Sequence, residues 1–491
     1  MYEKDAKIIF GFEKTLRLFE SSCVFINKRH FSPMAILHKS FAAISSNTRL
    51  NPIFIQLIRL SLPVIATSFM SIAYNFINIA FVGKLGSEAV AAVGSASFYM
   101  NLSWGISALL TIGAGIKVSH AIGENNTHIA KSYVRSGIIG TIGLALFFFL
   151  FLIFASDFLI SLIRLNNSVI EQAAKDYLMI ASLSILFVFQ NLFFSSVFIG
   201  SGDSKSPFFI NCIALSLNIL LDYILIFPFR LGITGAAFAT IISQSVATLL
   251  FYIKLNQTTG LKPQNIAFRF SLLKQMIGLG TYPAIQRTTF TIIAILMARI
   301  ISEWGATAIA VQKVGVQIEA VSYMTAGGFM SALSAISGQA YGAKDYDTQW
   351  KAFRSGMILA FSIGIIASVV LIVFSKSLFS IFLNDTKSIA MGKEYLIILG
   401  TSQLFVCLEL MATGAFFGWG RTHIPAITGI TLTVLRIPMA LAFIHLWEHS
   451  LASIWWSISI SSIAKGTILV SLYIILFKLF FKTQKQICHG T

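Results

Sequence analysis

The chain has 491 residues, 56% hydrophobic and only 11% charged, with a mean hydropathy of +0.80. A soluble domain carries roughly 25% charged residues; here apolar runs long enough to cross a bilayer core of about 30 Å recur along nearly the whole sequence. The composition is that of a polytopic membrane protein. The formal net charge of +17 sits at the ends of apolar runs and in loops, with no basic run interleaved with aromatics. It therefore sets topology and meets anionic lipid, and argues against nucleic acid as a partner.

Residues 1–54 read as a cytoplasmic basic tail, with Lys4, Lys7, Lys14, Arg17, Lys28, Arg29, Lys39 and Arg49 and no long apolar core. No apolar segment there is followed by a small-residue cleavage site, so the tail does not read as a signal peptide; Met34 is an alternative start. From Gln56 onward the pattern predicts twelve helical spans. Six lie near 57–82, 91–119, 134–157, 176–199, 207–229 and 233–254, and six near 275–302, 308–337, 353–374, 394–417, 424–446 and 451–480. This makes an all-α protein with an N-lobe over 55–255, a polar linker over 256–272, a C-lobe over 273–480 and a C-terminal tail over 481–491. Putting the N-terminus inside places Lys131, Arg135, Lys205, Lys254, Lys344, Lys351, Arg421 and Lys478 on the cytoplasmic side. That excess of positive charge predicts both termini in the cytoplasm.

The halves repeat. HAIGENNTHIAKSYVRSG (120–137) matches QAYGAKDYDTQWKAFRSG (339–356), and LGSEAVAAVG (85–94) matches WGATAIAVQK (304–313), both offset by 219 residues. YLMIASLSILFVFQNLFFSSVFIGSG (177–202) matches YLIILGTSQLFVCLELMATGAFFGWG (395–420) at 218. With an even number of spans per half, the repeats are parallel and related by a pseudo-two-fold along the membrane normal. Two-lobed transporters of this kind carry their substrate path between the lobes.

Polar groups inside the spans are few enough to weigh singly. Asp222 is the lone charge in NILLDYILIF (218–227), and a carboxylate in such a run is costly unless it faces protein, water or a cation. Asn218 lies one helical turn before it, and Thr240 stands on the next span. A carboxylate, an amide and a hydroxyl suit a small hard cation or a protonatable carboxyl; a plain helix-packing hydrogen bond is the bland alternative. In the C-lobe, Glu319 either lines the cavity and receives a cationic substrate or neutralises Lys313 or Arg287. Gln317, Gln286, Glu409 and Lys313 are further candidates for substrate or coupling. Glu409 occupies the repeat position of Asn191, which favours a structural role, and Arg436 that of Asn218. The cysteines Cys23, Cys212, Cys407 and Cys488 form no CxxC pair. No nucleophile–base–acid set, phosphate-binding glycine loop or zinc-ligand cluster is present, so no catalysis and no cofactor are expected.

SLPVIATSFMSIAYNFINIAFVGKLGSEAVAAVG (61–94), GSGDSKSPF (200–208), NILLDYILIF with GITGAAFATIISQ (232–244), VQKVGVQIEAVSYM and GQAYGAKD (338–345) together resemble the multidrug and toxic compound extrusion (MATE) transporters. The resemblance spans roughly residues 55–480. It implies a monomer in the bacterial inner membrane that exports organic cations in exchange for H+ or Na+, its lobes alternating between inward- and outward-open states. The family's N-lobe cation site combines an aspartate on span one, Asn and Asp on span five and Thr on span six. Asn218, Asp222 and Thr240 match, but Asn78 stands where the span-one aspartate is usual. Either Asp222 alone then carries coupling, or Glu319 and Glu409 share it, and Na+ at Asp222 is the one metal ion implied. Two alternatives remain at this stage. One is a flippase for lipid-linked saccharides, with Lys313, Arg287, Lys117 and Lys465 to receive pyrophosphate. The other is an intramembrane transferase, for which His120, His423 and His445 are isolated singles.

Overall fold

The computed structural model describes residues 52–489 apart from 164, 166, 264–265 and 447–449. The readings of the basic tail and of Met34 lie outside the described residues. Where no water can reach a backbone N–H or C=O, a spanning segment must satisfy its hydrogen bonds internally, and this chain does so as helices. The N-lobe holds α1 (Pro52–Gly83), α2 (Ser87–Gly123), α3 (Thr127–Phe154) with the short α4 (Ser156–Ile163), α5 (Ser168–Ser182), α6 (Ile185–Gly200), α7 (Lys205–Ile226) and α8 (Gly232–Thr258). The C-lobe holds α9 (Phe270–Ile301), α10 (Ala306–Gly342), α11 (Tyr346–Val373) with the short α12 (Ser375–Ser380), α13 (Thr386–Gly400), α14 (Gln403–Gly418), α15 (His423–Val434), α16 (Arg436–Leu446) and α17 (Leu451–His489). Helix α17 continues through residues 481–489, which sequence reading had assigned to a tail.

Nine single spans and two bent pairs, α5–α6 and α13–α14, are long and apolar enough to cross a membrane among the described residues. The remaining span, α10, has 37 residues but carries Gln312, Lys313, Gln317 and Glu319 and falls short in apolarity. The expected twelve spans are present. Both bent pairs turn by 47° at repeat-related breaks, where a serine hydroxyl bonds back to its own helix. Ser184 donates to Ala181 O at 2.7 Å and Ser402 to Leu399 O at 2.9 Å, a habit that bends helices.

Turns duplicate as faithfully as helices. Asn125 and Lys344, 219 residues apart, both take left-handed backbone, at φ 55° and 57°. The residue after each caps the next helix. Asn126 accepts from Ile129 N at 3.0 Å and Asp345 from Thr348 N at 2.9 Å. Hydrogen bonds from Thr348 hold the Asp345 carboxyl below the usual carboxylate range. A side-chain cap of this kind stabilises a helix by about 1 kcal/mol.

The lobes meet along α2, α9 and α10, where small residues let backbones touch. A Cβ on Gly113 would lie 2.1 Å from Met276 O, and one on Gly280 2.1 Å from Leu109 O. At the end where α2 and α10 finish, Gly123 faces Gln339 O and Gly342 faces His120 O, at 2.0 and 2.1 Å from an added Cβ. Two repeat-related side chains cross the seam there. His120 Nε2 meets Gly418 O at 2.7 Å, and Gln339 Nε2 donates to Gly200 O at 2.9 Å. The turns just beyond are Gly202 (φ +93°) and Gly420 (φ +73°), and the crossing side chains pass 3.5 and 3.3 Å from where a Cβ would stand. This end of the bundle is sealed by a reciprocal pair of latches.

Gly280→Ala should therefore cost about 2 kcal/mol, in the range for overpacking against backbone. Gly278→Ala, with nothing within 4 Å of the new Cβ, should be neutral or slightly stabilising. Thermal unfolding in detergent compares the two; equal midpoints would refute the close seam.

Candidate functional site

Asn218 and Asp222 share one face of α7, a turn apart, and are 2% and 1% exposed. Facing them, α8 carries Thr240 and Ser243, whose hydroxyls donate to Ala236 O and Thr240 O, both at 3.0 Å. With those protons committed to their own helix, the hydroxyl lone pairs receive Asn218 Nδ2, at 2.8 Å for Ser243 and 3.5 Å for Thr240. The amide is thereby oriented with its Oδ1 left over. From α1, Asn78 Nδ2 reaches Tyr74 OH at 3.4 Å, and Tyr74 stands beside both Asp222 and Thr240. Asn78 Oδ1, Asn218 Oδ1 and both carboxylate oxygens of Asp222 are buried without a hydrogen-bond partner.

Four buried acceptors without a donor in one corner of the lobe are expensive, at about 1–3 kcal/mol each and more for the charged ones. A proton on Asp222 or a hard cation among these oxygens removes that cost, and an all-oxygen donor set fits Na+. The expected set of Asp222, Asn218, Thr240 and Asn78 is brought together. Thr240 is its weaker α8 partner. Ser243 and Tyr74, which sequence reading did not select, complete it. Both follow from helical spacing: Ser243 is i+3 from Thr240, and Tyr74 is i−4 from Asn78.

The C-lobe builds a different centre at the matching place. Repeat offset pairs Asn218 with Arg436 and Ser243 with Ser461, and the contact is preserved: Arg436 Nε donates to Ser461 Oγ at 2.8 Å, with a second guanidinium nitrogen on Ser462 Oγ at 3.0 Å. Where the N-lobe leaves acceptor oxygens open, the C-lobe holds a fixed cation. Glu319 is 2% exposed; it accepts from Tyr323 OH and from Gln403 Nε2, the latter at 3.1 Å. Gln403 is oriented in turn by Ser322 Oγ at 2.8 Å. Glu409 faces Lys465 Nζ at 3.4 Å. Glu409 is thus paired, while Glu319 keeps Oε1 buried without a hydrogen-bond partner. Asp222 has no buried cation beside it among the described residues.

Several expectations are corrected. Glu319 neither lines the inter-lobe cavity nor pairs with Lys313 or Arg287, because Tyr323 and Gln403 hold it inside its lobe. Gln317 and Lys313 lie on the exposed face of α10 and do not line the cavity; two residues of helical spacing separate Gln317 from the Glu319 face. Gln286 packs its amide against Gly429 and also stays out of the cavity lining. Asn191, the repeat partner of Glu409, clamps α6 to α8 through Gln244 Oε1 at 2.8 Å and Thr248 Oγ1 at 2.9 Å.

Between the lobes, above the latches, lies a cavity of about 290 Å³ walled by α2, α6, α9, α10 and α14. Trp104, Met330 and Phe417 give it apolar wall, and Ser107, Thr111, Ser196, Ser331 and Ser334 give it hydroxyls. Arg287 is the one ionisable side chain in its described lining.

A closed bundle of spanning helices in two pseudo-symmetric lobes, with a water-accessible cavity between them and a cation-competent corner in one, defines a membrane transporter. The MatE family profile matches residues 63–224 and 283–442, once in each lobe, and the chain belongs to that family. Among curated relatives, the probable multidrug resistance protein NorM of Thermotoga maritima is 28% identical over 84% of this chain and 90% of its own. The multidrug export protein MepA of Staphylococcus aureus is 24% identical over 84% and 91%. Among solved structures, an outward-facing multidrug resistance MATE transporter superposes with a TM-score of 0.81 at 20% identity, over 87% of this chain and 97% of that one.

Lys465→Met should strand Glu409 in the lobe and cost about 3–5 kcal/mol, the usual penalty for breaking a buried pair on one side. The double variant Glu409→Gln with Lys465→Met should recover most of it. Unfolding midpoints of the three chains check this, and a fully stable Lys465→Met protein would refute the pairing.

Proposed function

We propose that this chain is a secondary active antiporter that exports small amphiphilic drugs across the bacterial cytoplasmic membrane in exchange for H+ or Na+. The observation that carries the reading is Asp222, a buried carboxylate with neither a hydrogen-bond donor nor a counter-charge beside it. Such a group prefers a mobile cation, and a mobile cation that enters from one side and leaves to the other can drive transport. The relatives' names as multidrug resistance and export proteins support the cargo class.

Placing the basic loops inside puts the latched end at the cytoplasm, so the described conformation is the outward-facing one. Loading Asp222 would relax the polar contacts between α1, α7 and α8 and shift the balance between lobe arrangements. A differential affinity of a few kcal/mol between the two states suffices for such a shift. The N-lobe takes the coupling role because Asp222 has neither donor nor cation on either oxygen, whereas Glu409 faces Lys465 and Glu319 accepts two hydrogen bonds on one oxygen. With Asn78 in place of a second carboxylate, one cation per cycle is the natural stoichiometry at this corner. Organic cations, the cargo implied by the resemblance, meet no carboxylate in the described cavity lining. The flippase reading loses support, because of Lys313, Arg287, Lys117 and Lys465 only Arg287 lines the cavity.

Proteoliposomes with an imposed pH gradient, and separately an imposed sodium gradient, test the proposal. Asp222→Asn should lower gradient-driven export at least about 10-fold, the scale of losing a preference of about 1.4 kcal/mol, while drug binding to the purified protein persists. Full gradient-driven export by the variant would refute the role of Asp222.

A further inference from the structure

Arg287 is the eighteenth residue of the 32-residue α9, so it sits near the middle of the span, about 25 Å from its start at 1.5 Å per residue. Its guanidinium makes no ion pair or hydrogen bond among the described residues. No inward carboxylate pairs with it: Glu409 faces Lys465, Glu319 accepts from Tyr323 and Gln403, and Asp222 lies unpartnered in the α1–α7–α8 corner of the other lobe. A charge at this depth is retained only where it faces water or a partner. Arg287 faces the inter-lobe cavity, where it is solvent-exposed.

The rest of the wall matches a particular chemistry. Ser107, Ser196 and Ser331 donate their hydroxyl protons to Trp104 O, Thr111 O and Gly327 O, so they offer lone pairs to a cargo's N–H or O–H groups but no formal charge, and Arg287 is the one charged contact in the described wall. Trp104, Met330 and Phe417 supply an apolar and aromatic surface. A planar guanidinium beside such a surface reads a carboxylate bidentately while the ring system packs alongside. A cargo carrying only positive charge meets a like charge with no carboxylate to offset it, which is discrimination by repulsion.

We propose that the inter-lobe cavity selects aromatic cargo bearing a carboxylate, as an anion or a zwitterion, with Arg287 as the specificity-determining contact. This rests on the transporter reading and narrows its substrate class. At rest the cavity water solvates the guanidinium. When cargo enters, its carboxylate replaces that water, so the α9 charge is neutralised only in the loaded state.

Three probes with one ring system separate the charge from the grease: 1-naphthoate, 1-naphthylmethanol and 1-naphthylmethylammonium. Equilibrium dialysis against the purified full-length chain should show naphthoate binding at least 10-fold more tightly than the ammonium, with the alcohol between. Arg287→Gln should erase that order, and Arg287→Lys should keep it with weaker naphthoate binding, which shows that the site still folds. Tighter binding of the ammonium by the native chain, an unchanged order in Arg287→Gln, or no binding of any probe would overturn the proposal. Gradient-driven uptake of the same probes is measured separately. A chain that binds naphthoate selectively but moves nothing contradicts the transporter reading and leaves the charge selectivity standing.

Discussion

The structure depends first on how closely two half-proteins can approach inside a membrane. Between helices in lipid there is little hydrophobic force, because the surrounding tails are as apolar as the side chains; close packing and polar contacts must hold the seam. Gly113, Gly280, Gly123 and Gly342 remove the Cβ atoms that would keep α2, α9 and α10 apart. Once the backbones touch, His120 and Gln339 each reach one carbonyl of the other lobe. Because the two contacts are repeat-related, they seal one end symmetrically. The cavity above them is what the seam leaves unfilled. Its access and its depth follow from which end is closed.

Inside the lobes the repeat has diverged in charge while keeping its contacts. The bond from the fifth span to the sixth in the N-lobe is Asn218 to Ser243, and the bond from the eleventh span to the twelfth in the C-lobe is Arg436 to Ser461, both 2.8 Å. An amide there leaves its oxygen without a partner; a guanidinium supplies a fixed positive charge. The same scaffold thus leaves Asp222 without a buried cation in one lobe and places Arg436 and Lys465 among Glu319 and Glu409 in the other.

Much of this was legible in the sequence, and the reasons are physical. Twelve spans show because hydrocarbon demands long apolar helices, and the duplication shows because turn residues repeat with them, as Asn125–Asn126 and Lys344–Asp345 do. Asp222 and Asn218 stand out because polar groups are rare in such spans and a turn of helix puts them on one face. What the pattern does not reveal is which face of a polar span looks inward. Glu319 and Gln317, two residues apart on α10, both read as candidates for substrate or coupling, yet one is buried in its lobe and the other exposed. Ser243 and Tyr74 were passed over because hydroxyls are common in membrane helices and reveal their role only once a neighbour's amide is fixed. The charge balance of the C-lobe needed coordinates, since Lys465 and Glu409 are 56 residues apart in sequence.

Under the proposed antiport the lobes exchange arrangements about this seam, with the latched end opening as the cation site changes state. Spin labels at His128 and Asp347, exposed and repeat-related positions on opposite lobes beside the latches, report that directly by pulsed electron resonance in lipid nanodiscs. A single short distance in one cation condition, giving way to a distinctly longer population when pH or sodium is changed, is the predicted result. One invariant distance across all conditions, in protein that still transports, would contradict it.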